Sequence, residues 1–166
     1  MNSIKKTSVS LFLFSSLLLV SCGGNPVQEN AVKTAEEAPT EHPTTFEVKA
    51  IGNSMADMQF DRDEIRVNAG KEITITLVNE GIDEAMIHNL AIVVYGYAQE
   101  VSQKGFNHKD NSYTKPGDPA VIAVSPLANP GETTSVKFTI EEKGSYQFVC
   151  TYPGHWGRML GTLLVE

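Results

Sequence analysis

Short runs in which every second residue is apolar, separated by turn residues, constrain this chain more than any other feature. Phe46, Val48 and Ala50 alternate with polar neighbours, and Ile73, Ile75 and Leu77 do so with threonines between them. Val136, Phe138 and Ile140 form a third set, and Tyr146, Phe148 and Cys150 a fourth. A period of two sends successive side chains to opposite faces, so each run is a strand with one face toward a core. Leu90 to Val94 is apolar without a break, which fits a strand buried on both sides, and Leu160 to Val165 is the last strand. Asn79-Glu80-Gly81, Asn129-Pro130-Gly131 and Lys143-Gly144 mark turns between them. Many short strands joined in this way predict an all-β sandwich or Greek-key barrel over residues 45–166, the size of one domain. Gln99 to Pro119 lacks alternation. It is read as an insertion crossing between the two sheets, irregular or with a short helix in YAQEVSQKGFNHKDNSY.

The amino-terminal part is built differently. Met1 to Ser10 carries Lys5 and Lys6 and no acid, and Leu11 to Val20 is an almost purely apolar run too short to span a bilayer. A basic start, a short apolar stretch and small residues before a cut site describe an export signal. Leu19-Val20-Ser21-Cys22 resembles the bacterial lipobox, in which the cysteine becomes the lipidated first residue of the mature chain. The alternative is an ordinary secretory signal with an incidental cysteine. Residues 1–21 are thus read as a lipoprotein signal peptide. Residues 22–44, polar and poor in large apolar side chains, are read as a lipidated flexible tether. Gly23 follows the cysteine, where an Asp would signal inner-membrane retention. The expected location is therefore the outer membrane of a two-membrane bacterium, with the domain on the periplasmic side.

Loss of residues 1–21 moves the formal charge from -7 to -9, since that segment holds two lysines and no acid. With no basic cluster to offset it, such a surface does not suit nucleic acid or anionic lipid. With Cys22 taken by lipid, Cys150 is alone in the folded part. A lone thiol in an oxidising compartment is a liability unless something protects it, and a metal would.

The chemistry lies near the carboxyl end, in Cys150-Thr151-Tyr152-Pro153-Gly154-His155-Trp156-Gly157-Arg158-Met159. A thiolate, an imidazole and a thioether stand on one tight loop between two expected strands. Two His and one Cys in a trigonal site, with a long axial Met, are the arrangement of electron-transfer copper. The loop supplies one His, so the second comes from elsewhere. His42 lies in the tether and His108 in the insertion, whereas His88 precedes the buried strand Leu90–Val94 and is the natural candidate. A buried structural thiol, a core histidine and a packing methionine are the bland readings of Cys150, His88 and Met159. All three would have to hold at once.

At this point the chain resembles the cupredoxins, the type 1 blue copper proteins, in their azurin and auracyanin branch. The Cys-x4-His-x3-Met loop matches, with its Thr-x-Pro-Gly-His, and so does the pair His88-Asn89. Met58-Gln59-Phe60, Val121-Ile122-Ala123, Ser135-Val136-Lys137-Phe138 and Gly161-Thr162-Leu163 also resemble azurin segments. The resemblance implies an eight-stranded Greek-key β-sandwich with one copper near one pole. It implies His88, Cys150 and His155 as equatorial ligands and Met159 as the weak axial one. It further implies that Asn89 and Thr151 tie the two ligand-bearing segments together by hydrogen bonds. Azurin-like proteins have a Gly whose carbonyl approaches copper just before the first ligand His; here that position is the β-branched Ile87. The usual azurin disulfide is absent for want of cysteines, and Trp156 stands where azurin has a small residue.

The function expected is one-electron transfer by copper cycling between Cu(II) and Cu(I), with unidentified redox proteins as donor and acceptor and no small-molecule substrate. No open metal position and no other catalytic signature argues for an enzyme. The alternative is a copper-binding or copper-delivery lipoprotein without a redox partner. Because the sandwich cannot cover the loop, the ring edge of His155 is expected at the surface. Tyr152, Pro153 and Trp156 would surround it as an apolar docking patch.

Overall fold

The computed structural model describes residues 40–166; the signal segment, Cys22 and the tether up to residue 39 lie outside the described residues. The threonine-spaced run of Ile73, Ile75 and Leu77 forms the middle of β4 (Glu72–Asn79), and all three side chains are buried. β4 pairs in parallel with β1 (Thr45–Ile51), which sets Phe46 opposite Ile75 and Val48 opposite Leu77. On its other side it runs antiparallel to β7 (Thr133–Thr139), with Ile73 opposite Phe138 and Ile75 opposite Val136. β2 (Gln59–Phe60) completes a sheet of order β2-β1-β4-β7.

The facing sheet has the order β3-β9-β8-β5-β6, formed by β3 (Glu64–Val67), β5 (Ala91–Val94), β6 (Val121–Val124), β8 (Gly144–Val149) and β9 (Leu160–Val165). Between the sheets lies a core that includes Val48, Ile75, Leu77, Leu90, Ile92, Phe148 and Leu163. The described residues hold nine strands where eight were expected. The chain from Gln59 to Val67 is interrupted at residues 61–63 and pairs on either side of the break in different sheets, β2 with β1 and β3 with β9. It is a strand that turns the corner of the sandwich.

The insertion contains α1 (Ala98–Gly105) and a single 3-10 turn at Lys109–Asn111. Ala98 and Val101 of the helix pack with Ala91, Val93, Ala120 and Val149 in a second cluster. That cluster explains the unbroken apolar run: Leu90 and Ile92 face the core between the sheets, while Ala91 and Val93 face the helix side. Among the described residues no helix is long and apolar enough to cross a membrane.

The sandwich has two distinct poles. Asn79, at the end of β4, donates to the carbonyls of Met86 (2.7 Å) and Ala128 (3.0 Å), beside His88. Because β1 is parallel to β4, its first residue, Thr45, sits at the opposite pole. The chain arrives there already pinned. Asn68 donates to the Thr40 carbonyl (2.7 Å), the His42 N–H donates to Asn68 Oδ1 (2.7 Å), and the His42 ring meets Glu166 at 2.8 Å. Residues 40–44, expected to be part of the tether, therefore run along the domain.

Candidate metal centre

Each candidate ligand is fixed by the element that carries it. His88 forms an isolated antiparallel bridge with Ala128: its N–H donates to the Ala128 carbonyl (3.1 Å) and its carbonyl accepts from the Ala128 N–H (2.8 Å). Cys150 follows β8 directly, and its N–H donates to the Met159 carbonyl (3.0 Å) at the start of β9. The loop between them closes on itself, since the N–H groups of Arg158 and Met159 both donate to the His155 carbonyl at 3.0 Å. Gly154 has φ +85, a left-handed conformation that a residue with a side chain rarely adopts, so the loop's Gly is a backbone requirement.

The fold brings three of the four expected donors to one place. Cys150 Sγ lies 3.8 Å from His88 Nδ1 and 3.7 Å from His155 Nδ1, and the two ring nitrogens are 3.1 Å apart. A triangle with these sides has its centre about 2.1 Å from every corner, close to the bond length of a first-row metal to imidazole or thiolate. His88, Cys150 and His155 are all buried, and the three donor atoms form a group able to hold a metal ion. Met159 is wholly buried, in the core cluster that also holds Cys150.

Electrostatics favour the same use. Burial, helped by the facing His155, holds His88 down to about 4, and burial alone does the same for His155, so both rings are neutral at pH 7. Burial pushes the Cys150 thiol up to about 12, while main-chain N–H groups of Asn89 and Tyr152 directed at the sulfur pull the other way. A thiolate at this place therefore needs a cation, and the donors fit copper: soft sulfur, two neutral imidazoles and no carboxylate.

A hydrogen-bonded frame surrounds the triangle. Asn89 Nδ2 donates to Thr151 Oγ1 (2.7 Å), and the Thr151 N–H donates to Asn89 Oδ1 (2.8 Å), which links the two segments. The frame has members that the sequence reading missed. The Ser112 carbonyl accepts from both Asn89 Nδ2 (2.6 Å) and Thr151 Oγ1 (3.0 Å). Ser112 and Tyr113 hold φ of 50 and 54, and the Tyr113 ring meets Tyr152 edge-on at 5.2 Å. Their segment shows no periodicity, so the sequence held no sign of them. Asn79 was read as part of a turn, and its Asn-x-Gly is indeed one, with Gly81 N–H on Asn79 Oδ1 at 3.0 Å. Ile87, half-buried, gives its N–H to the Ala85 carbonyl at 3.0 Å.

One expectation is corrected. The ring edge of His155 does not reach the surface: the residue is 1% exposed. Tyr152 lies over it, with ring centroids 4.8 Å apart, and Tyr113 in turn braces Tyr152. Trp156 is half-buried and packs against the second cluster, beside Leu160 and the helix side of the sheet. Tyr152 and Pro153 are half-buried as well.

Comparison with known proteins points the same way. Auracyanin-A of Chloroflexus aurantiacus is 32% identical over 154 residues, which cover 91% of this chain and 90% of that protein. Outer membrane protein H.8 of Neisseria gonorrhoeae is 37% identical over 117 residues, 68% of this chain and 64% of the relative's length. The crystal structure of dithionite-reduced auracyanin from Roseiflexus castenholzii matches with a TM-score of 0.67 at 30% identity, over 75% of this chain and 98% of that one. The family described as copper binding proteins, plastocyanin/azurin family, matches residues 46–166. With its sandwich, its His-Cys-His group and that match, the chain belongs to the plastocyanin/azurin family of copper-binding proteins.

Proposed function

We propose that this protein carries single electrons between redox proteins while tethered to a bacterial membrane. His88 Nδ1, Cys150 Sγ and His155 Nδ1 would hold one copper ion, with the Met159 thioether as a further, weaker donor. The observation that carries the reading is the buried triangle, closed on one point by bonds already made within the chain. A bound copper supplies the Cu(II)/Cu(I) couple. The residues do the rest: the rings offer lone pairs without first losing a proton, and the thiol gives up its proton as the metal enters. Asn89 and Thr151 hold both ligand segments still, so that little need move when the charge of the site changes. Three strong donors and one weak one leave no open position for a substrate, which favours a carrier over an enzyme. Tyr152 and Pro153, and the exposed part of Trp156, are the approach to the site.

Attachment is the second half of the proposal. Cys22 would carry acyl chains, and residues 23–39 would join them to the domain at the outer membrane, facing the periplasm. The outer-membrane name of the H.8 relative supports that location.

Copper loading tests the reading. The purified protein should bind one Cu(II) per chain with one intense charge-transfer band in the red. Cys150→Ser should abolish that band while the sandwich stays folded by circular dichroism. Met159→Leu should keep the copper and the colour but raise the potential, because the oxidised ion loses a donor. Retained colour in Cys150→Ser would overturn the ligand assignment. A protein that binds copper yet cannot cycle reversibly would be the copper-delivery alternative.

A further inference from the structure

His88, Cys150, His155 and Met159 are all buried, so a metal ion reaches them only if some part of the cover moves. Over His155 that cover is Tyr152, braced by Tyr113. The segment that carries Tyr113 is bonded chiefly to itself. The Ser112 N–H donates to the Lys109 carbonyl and the Tyr113 N–H to the His108 carbonyl, both at 3.0 Å. Asn111 Nδ2 donates to the carbonyl and to Oγ1 of Thr114, both at 2.9 Å, and Thr114 Oγ1 donates back to the Asn111 carbonyl at 2.8 Å. Two contacts join this self-bonded unit to the ligand frame: the Ser112 carbonyl on Asn89 Nδ2 and Thr151 Oγ1, and the Tyr113 ring on Tyr152. Glycines flank it. A Cβ on Gly105 would strike the Tyr113 carbonyl, and Gly117 has φ +72.

Both contacts are made from a costly backbone. Ser112 and Tyr113 are consecutive residues with side chains, at φ 50 and 54, in the left-handed region that an L residue enters only against steric resistance. Letting go relieves that strain. It also leaves the ligand frame standing, because Asn89 and Thr151 remain bonded to each other. Pro153 and Trp156 are poorer doors, since they belong to the ligand loop and moving them moves His155. We propose that residues 108–114 form a strained flap through which copper enters and leaves the site, with the Tyr113 ring as its latch. The proposal rests on the metal-centre reading and assigns the insertion a task. With the flap out, Tyr152 is free to turn from His155, so that an incoming ion meets a neutral imidazole before the buried thiol. With the flap back, Tyr152 again shuts the site against water and competing ligands. A flap that closes over the empty and the filled site alike changes how fast metal comes and goes, and not how tightly it is held.

The test mixes the metal-free full chain with aqueous copper(II) in a stopped-flow instrument and follows uptake by the red charge-transfer band. Loss is followed with an excess of chelator. Tyr113→Ala should speed uptake and loss alike, by about three to ten times, with band, potential and affinity unchanged. Ser112→Gly keeps the carbonyl and the neighbouring ring but removes the strain at its position, so it should slow both by about threefold. Met55→Ser serves as the control on another loop, where the Met55 methyl meets the ligand loop at Gly154, and should alter neither rate. Wild-type uptake in both Tyr113→Ala and Ser112→Gly would overturn the flap, as would faster uptake in Met55→Ser alone. Faster loss without faster uptake in Tyr113→Ala would overturn it too, since the ring would then hold the metal and not gate it. A wild-type chain that takes up no copper would instead overturn the metal-centre reading on which the flap rests.

Discussion

Two imidazoles that water does not reach, His88 and His155, make the metal-free protein sensitive to acid. In the fold both are held down to about 4, whereas an unfolded chain protonates them near the ordinary histidine value of about 6.5. Between those values the unfolded state binds more protons, so stability is complete above about pH 6.5 and falls as the pH drops toward 4. The expected loss in the copper-free protein is a few kcal/mol from pH 7 to 4.5, read as a lower urea midpoint. The copper-loaded protein should keep its midpoint over the same range, because the metal occupies the ring nitrogens that protons would take. Equal acid sensitivity with and without copper would show that these nitrogens do not bind it. At this scale three of the donors were legible because thiolate, imidazole and thioether are rare residue types placed on one loop, and His88 because it stands at the mouth of a buried strand. Asn79, which pins the approach to His88, was not, because a turn asparagine looks the same whether its amide meets water or two buried carbonyls.

Among the elements, the strands were readable and the connections were not. Alternation located β1, β4, β7 and β8, and the double burial of β5 followed from its unbroken run once α1 was found on its outer side. The corner at residues 61–63 escaped notice because nothing in the sequence says which sheet a short strand joins. Gly161 shows how closely strand pairing can fix a residue. It faces Phe148 across β8 and β9, and a Cβ there would strike the Phe148 ring. Gly161→Ala should therefore overpack the core and cost about 1–3 kcal/mol, seen as a fall of several degrees in Tm. An unchanged Tm would mean the ring has room to move aside. The insertion offers a second test. Tyr113 braces Tyr152 over His155 from a left-handed backbone, with the Ser112 carbonyl held by both Asn89 and Thr151. Tyr113→Ala should let a chelator remove copper about three to ten times faster, in line with the worth of one aromatic pair, while Tyr113→Phe behaves as the wild type. Equal rates in all three would reduce the insertion to filler.

For the whole molecule, the lipid attachment proposed at Cys22 falls outside the described residues and is tested directly. Cys22→Ser should move the protein from the membrane fraction to the soluble one, since two or three acyl chains anchor stably where one is marginal; its recovery in the membrane fraction would sink the lipid proposal. The fold then decides how such an anchor would pull. The chain enters at the pole of Thr45, Asn68 and Glu166, and the His-Cys-His group lies at the other. The 18 peptide links from Cys22 to Thr40 allow a reach of at most about 65 Å. Under the lipid proposal the anchor would pull on the domain at its keel, the pole away from the lamp, as a mooring holds a buoy. Carriers diffusing through the compartment would meet the lit end directly, whereas a protein lying flat in the same membrane could be served only when the buoy heels over.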